Sequence, residues 1–185
     1  MMGHGIEAVT AMAQVRTMVR TAAWAGLEPA AVLGLVDRLA DKSGISETIT
    51  VFYANLVSDR TGTRMRYCNA GHPYPLLRTP NGAVPELVDG RRALIGAIGT
   101  GAPPREGIGT VDLPSDSVLL LYTDGLIEGR GVDEDEVGAD LSRHLAAFSS
   151  EQSLDELCRR LLDRPSTSDD TTVFAVRVKV KAPQA

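Results

Sequence analysis

The chain has 185 residues, of which 43% are apolar and 23% charged, with a formal net charge of −5. That is the composition and length of one ordinary globular domain, able to bury about 70% of the surface it exposes when unfolded. The acidic balance, with no basic block, argues against nucleic acid or an anionic membrane as the main partner. The longest apolar run, Val118–Tyr122, is far short of the ~20 residues a membrane helix needs.

Met1-Met2-Gly3-His4-Gly5 has neither the basic head nor the apolar stretch of a secretory signal. Residues 4–25 predict a helix, rich in small residues, with Ile6, Val9 and Ala13 near helical spacing. Pro29 opens a second helix over 29–41, where its missing N–H costs nothing, and Val32, Leu35, Val36 and Leu39 form its apolar stripe. From Thr48 the chain turns β-branched and aromatic, and residues 48–57 predict a strand paired through a turn at 59–62 with residues 64–69. A second hairpin is expected from 74–78 and 84–88 around Pro80-Asn81-Gly82. Residues 89–107, glycine-rich, read mostly as loop; 108–113 and 117–123 read as strands, the latter buried on both faces. Two helices follow, 137–148 and 153–162, the second with Ser153 and Glu156 set for a capping box. Residues 165–168 read as loop, and an alternating strand over 172–181 closes the chain. Helices, a block of strands, helices and a last strand predict an α+β fold with a mainly antiparallel sheet. Cys68 and Cys158 sit in apolar patterns and are expected to be buried free thiols in a reducing compartment, which with the missing signal predicts a cytoplasmic protein.

The familiar hydrolase, P-loop, zincin and Cys-x-x-Cys signatures are absent, and three histidines are too few for a multi-histidine zinc site. What remains is carboxylates on sharp turns. Thr123-Asp124-Gly125 directly follows the apolar strand, so Asp124 is held at a sheet end while the glycine lets the backbone turn away. Asp169-Asp170-Thr171-Thr172 precedes the last strand, and two adjacent aspartates repel each other unless a cation or solvent compensates. Hard oxygens projecting from strand ends suit Mg²⁺ or Mn²⁺. Each turn alone is better explained as a helix cap, for Asp124, or a solvated bend, for Asp169-Asp170, since Asp is a common capping residue. Gly3-x-Gly5-x-x-Ala8 has the outline of a dinucleotide fingerprint, but the two residues before it hold no strand and Glu28 begins a helix, which argues against nucleotide binding.

In order along the chain, Gly3-His4-Gly5, Asn69-Ala70-Gly71-His72-Pro73, Tyr122-Thr123-Asp124-Gly125-Leu126-Ile127-Glu128 and Asp169-Asp170-Thr171-Thr172 resemble the stage II sporulation protein E group of metal-dependent protein serine/threonine phosphatases, within the protein phosphatase 2C superfamily. The resemblance covers roughly residues 3–180. It implies a two-sheet sandwich flanked by helices and a two-metal Mn²⁺ or Mg²⁺ site, where metal-activated water attacks phosphoserine or phosphothreonine in line. It implies that Asp124 and Asp169 are catalytic metal ligands, supported by Gly125, Asp170, Gly3, His4 and Gly5. His72 reads as part of a structural turn, and His144 as a surface or packing residue. The implied substrate is a phosphorylated anti-anti-sigma-type protein. The group's pattern also carries an aspartate in an upstream Gly-Gly-Asp motif and another in Gly-Asp-x-x-Gly-His-Gly, and here Met1-Met2 stand directly before Gly3. The expectation is one domain over 1–181, truncated at its N-terminus, with a tail at 182–185. Its metal site is then incomplete, and its free sheet edge pairs with a second copy to form a homodimer. A catalytically impaired, phosphatase-like binding module is the alternative this departure implies.

Overall fold

Small side chains open the fold. In α1 (Ile6–Trp24), Ala8, Ala11, Val15 and Ala22 are buried, one narrow stripe of a 3.6-residue period. So thin a stripe admits a close neighbour, and α2 (Pro29–Lys42) packs against it, burying Val32, Leu33, Val36 and Ala40 and starting with Pro29 in its first turn. The computed structural model describes residues 5–59, 62–97, 107–127, 134–149, 151–163 and 170–179. The strands are β1 (Val51–Asp59), β2 (Gly62–Ala70), β3 (Leu76–Arg78), β4 (Arg91–Arg92), β5 (Gly109–Leu113), β6 (Val118–Tyr122) and β7 (Val173–Arg177); α3 (Glu134–Ala146) and α4 (Leu154–Leu162) lie between the last two. The result is an α+β fold of two sheets and four helices, as the order of elements predicts.

One sheet runs β1-β2-β4, with β5 also paired to β2; the other runs β3-β6-β7. In the second sheet both pairings are antiparallel, Leu76 facing Leu120 and Tyr122 facing Val173. The chain forms two compact units: residues 1–57, 64–72 and 89–111 in one, and 58–63, 73–88 and 112–185 in the other.

The first unit's core joins Ala11, Val15 and Ala22 of α1 to Val32, Leu33 and Val36 of α2, with Ile49, Cys68 and Ile95. A charged pair is sealed beside it. Asp37 and Arg92, with side chains 1% and 3% exposed, meet at 3.0 Å, and the Gly96 N–H donates to the other Asp37 oxygen at 3.1 Å. The second unit's core is apolar: Leu76, Val118, Leu120 and Tyr122 from the sheet, Leu141, Leu145 and Phe148 from α3 and its end, Leu157 and Leu161 from α4.

Several expectations are corrected in detail. Residues 84–88 form no strand. Leu77 N–H donates to Pro85 O and Leu87 N–H to Pro75 O, but neither proline has an N–H to return, so each pair keeps a single bond and β3 finds its full partner in β6. Inside the segment read as loop, Arg91–Arg92 form the short β4, parallel to Asn69 and Ala70. Ser153 does cap α4, but its hydroxyl accepts from Asp155 N–H at 3.2 Å, and Glu156 pairs with Arg160 rather than closing a capping box. Cys68 is buried as expected; Cys158 is only half-buried, and burial, reinforced by Asp155, pushes its thiol pKa up.

Candidate functional site

The site is built where β6 and β7 end together. Val118, Leu120 and Tyr122 of β6 face the helices, and burial with the nearby Glu86 carboxylate pushes the Tyr122 phenol up to about 12. Beyond the last ladder pair, Tyr122 with Val173, Thr123 stays extended and its N–H donates to Thr172 O at 3.0 Å. The chain then coils into a single 3₁₀ turn, Asp124–Leu126, with Leu126 N–H on Thr123 O and Ile127 N–H on Asp124 O.

Asp124 heads that turn, exposed, and its Oδ1 accepts the Gly125 N–H at 3.0 Å. This contact fixes one carboxylate oxygen and leaves Oδ2 as a donor atom for a ligand. Gly125 is buried, and a Cβ there would sit 2.6 Å from the Asp170 carbonyl oxygen, so only glycine lets the two turns touch. Asp170, also exposed, stands across this contact, its carbonyl accepting the Thr123 hydroxyl at 3.3 Å. The Thr123 hydroxyl oxygen in turn accepts the Thr172 N–H at 2.8 Å, and Thr171 Oγ1 donates to Gly125 O at 3.0 Å.

The structure thus brings the turn that bears Asp124 and Gly125 against the backbone of Asp170. Asp169, Gly3 and His4 lie outside the described residues. Gly5 belongs to the first unit and precedes α1 with a φ of 96°. Thr123 and Thr171 carry bonds that sequence reasoning missed; both stand inside the quoted motifs, but their partners lie 46 to 49 residues away.

Asn69–His72 of the Asn69–Pro73 motif form a turn in the first unit. Asn69 Oδ1 accepts His72 N–H at 2.8 Å and its Nδ2 donates to His72 O at 2.9 Å, so one side chain closes the loop from both sides. Gly71 has a φ of +70°, and a Cβ there would fall 2.1 Å from Leu94 Cδ2. The His72 ring lies against Phe52, centroids 6.4 Å apart. These are the contacts of a structural turn, the role its sequence suggests. His144 sits on α3, exposed, bonded through Nδ1 to Asp140 O and near its carboxylate.

Exposed carboxylates on adjoining strand ends are hard oxygen donors, the kind that Mg²⁺ and Mn²⁺ take, so the residues present fit such a cation. Among the described residues, no three or more His, Cys, Asp or Glu side chains group to hold a metal, and no helix is long and apolar enough to cross a membrane.

Residues 1–179 match the family described as Stage II sporulation protein E (SpoIIE). The chain belongs to the SpoIIE family. Among solved structures it is similar to the RsbU and RsbW domains of Rv1364c from Mycobacterium tuberculosis, at 31% identity and a TM-score of 0.78, covering 98% of this chain and 51% of that one. The chain therefore spans about half the length of that relative. The SiaA-PP2C domain of Pseudomonas aeruginosa matches at 21% identity and a TM-score of 0.72, covering 96% of this chain and 73% of that one. RsbX in complex with magnesium matches at 18% identity and a TM-score of 0.65, covering 94% and 75%. The last two establish the fold, that of a PP2C-type phosphatase domain.

Proposed function

We propose that this chain is a divalent-cation-dependent protein serine/threonine phosphatase, acting in the bacterial cytoplasm on phosphoserine or phosphothreonine of an anti-anti-sigma-type regulator. The observation that carries the reading is the contact between two aspartate-bearing strand ends, Asp124 after β6 and Asp170 before β7, in a chain of the SpoIIE family. Asp124 and Asp169 would hold Mg²⁺ or Mn²⁺, with Gly125 and Asp170 shaping the turns behind them and Gly3, His4 and Gly5 in support. A magnesium-bound relative of the same fold, RsbX, favours this choice of cation. When bound, such cations supply Lewis-acid stabilisation of the phosphoryl oxygens and a nucleophile at neutral pH.

The chain's own residues explain why the cation is needed. Asp124 and Asp170 are exposed, and left uncompensated their charge would repel a dianionic phosphate at short range. Gly125 N–H holds one Asp124 oxygen in place, so the other meets a ligand without first losing much rotamer freedom. The joining of an RsbU and an RsbW domain in one relative supports a regulatory phosphoprotein as substrate.

The test is hydrolysis of a phosphoserine protein and of an aryl phosphate with Mn²⁺, against EDTA and Asp124→Asn. We expect activity that EDTA abolishes and that Asp124→Asn lowers by at least about 100-fold, the loss of one direct ligand exceeding the 10–100-fold typical of outer partners. Wild-type chain that binds the phosphoprotein but never hydrolyses it would replace this reading with a catalytically silent binding module.

A further inference from the structure

We propose that Thr123 and Thr171 are positioning residues whose hydroxyls cross-brace the ends of β6 and β7 and so set the spacing of the two aspartate-bearing turns that follow β6 and precede β7. The inference rests on the reading above only in taking those strand ends to serve a cation.

The bond pattern shows why a backbone ladder alone does not do this. The regular β6–β7 pairs stop at Tyr122 and Val173, and one further bond, Thr123 N–H to Thr172 O, extends them. The next acceptor in line, Thr123 O, is consumed by Leu126 N–H as the chain coils into its 3₁₀ turn. Thr172 N–H would then lose its strand partner at the point where the two turns diverge. Thr123 Oγ1 takes it, at 2.8 Å, and sends its own proton to Asp170 O at 3.3 Å. Thr171 answers from the other strand, its Oγ1 donating to Gly125 O at 3.0 Å. Each turn is therefore bonded through a side chain to the backbone of the other, on either side of the Gly125–Asp170 contact.

Threonine suits this role for two reasons. Its hydroxyl donates and accepts at once, and both capacities of Thr123 are used. Its β-branch restricts χ1, so the hydroxyl is held where the bonds need it. Strand ends otherwise fray at little cost, whereas metal-ligand distances hold to within about 0.2 Å. A brace across the fraying point is what keeps the two aspartate-bearing turns at a fixed separation.

The experiment uses the chain with Thr123→Val, Thr171→Val and Thr123→Ser. Mn²⁺ affinity is read from the EPR signal of free Mn²⁺, and, without metal, thermal melting and amide exchange at Thr172 are recorded. Each valine variant should weaken Mn²⁺ binding roughly 10–100-fold, while its Tm falls by only about 2–4 °C for each braced hydrogen bond lost, one in Thr171→Val and two in Thr123→Val. Thr172 should exchange faster in Thr123→Val, and Thr123→Ser should return affinity to within about 3-fold of wild type, since it keeps the hydroxyl. Valine variants that bind Mn²⁺ like wild type, or a serine variant as weak as valine, would overturn the proposal. Unchanged Thr172 exchange in Thr123→Val would overturn the brace itself. A wild-type chain that binds no Mn²⁺, with Thr172 protection lost in Thr123→Val alone, would sink the cation reading and keep the brace.

Discussion

In the first unit Asp37 and Arg92 are sealed from water and satisfy each other at 3.0 Å, with Gly96 N–H on the remaining carboxylate oxygen. In the second unit Asp124 and Asp170 stay in solvent, and the bonds fix the backbone and the hydroxyls beneath them. The same side chain thus does two kinds of work. A buried carboxylate spends its lone pairs on the protein and orients α2 against the segment after β4. An exposed one on a braced turn, Asp124, has one oxygen fixed by the Gly125 N–H and its other on the solvent side. Charge buried by folding reads as architecture, and charge left out on a rigid corner as chemistry.

The contrast is open to direct attack, most strongly through the buried pair. Asp37→Ala leaves Arg92 charged in the interior and should lower the unfolding free energy by about 3–5 kcal/mol, measured by urea denaturation. Arg92 Nε already has no hydrogen-bond partner among the described residues. Asp37→Leu combined with Arg92→Met should therefore recover most of the loss, because a well-packed apolar pair escapes the desolvation cost. A single-mutant loss below about 1 kcal/mol, the scale of an exposed pair, would erase the distinction between the units.

A smaller effect belongs to Tyr122, at the seam between the apolar core and the exposed corner. Its phenol titrates near 12 in the folded chain, against about 10 unfolded. Below pH 10 both states are protonated and the difference is silent. Above it the unfolded chain gives up a proton that the native one keeps, so stability falls progressively between about pH 10 and 12. Tyr122→Phe should flatten that decline, as seen in urea midpoints at pH 8, 10 and 11.5. The smallest expected effect is a gain. Ser117 is fully buried and its hydroxyl has no partner among the described residues. Ser117→Ala should therefore raise stability by about 1 kcal/mol, detectable as a shift in the same midpoints.

Local chemistry made most of the fold legible. The Val-Leu-Leu-Leu-Tyr run of β6 is buried along its length but for a half-buried Leu121, and α1, α2 and α4 begin within two residues of where small residues, Pro29 and Ser153 place them. The misses have long-range causes. Arg91–Arg92 carry no strand signal of their own; a two-residue parallel pairing with Asn69 and Ala70, and the buried Asp37, decide their place. Glu156 had an equally good local alternative in Arg160, and took it. At the candidate site, Asp124, Gly125 and Asp170 stand out because carboxylates on turns next to apolar strands, one after β6 and one before β7, are visible in one dimension. Thr123 and Thr171 look like ordinary strand-end threonines until residues 46 to 49 positions apart are brought together.

The same apolar run has a consequence for register. Where a strand alternates polar and apolar residues, a slip of one position turns its apolar face to water and is penalised. β6, with Val118, Leu119, Leu120 and Leu121 in succession, pays almost no such penalty, and β7, with Val173, Phe174, Ala175 and Val176, pays little more. Hydrophobic burial alone would leave these two strands free to slide, about 3.4 Å per step. Their alignment is decided at the ends: by Asp116 and Ser117 bonded to Val178 at one, and by Thr123 bonded to Asp170 and Thr172 at the other. The greasiest strands of the molecule are indexed by its polar corners.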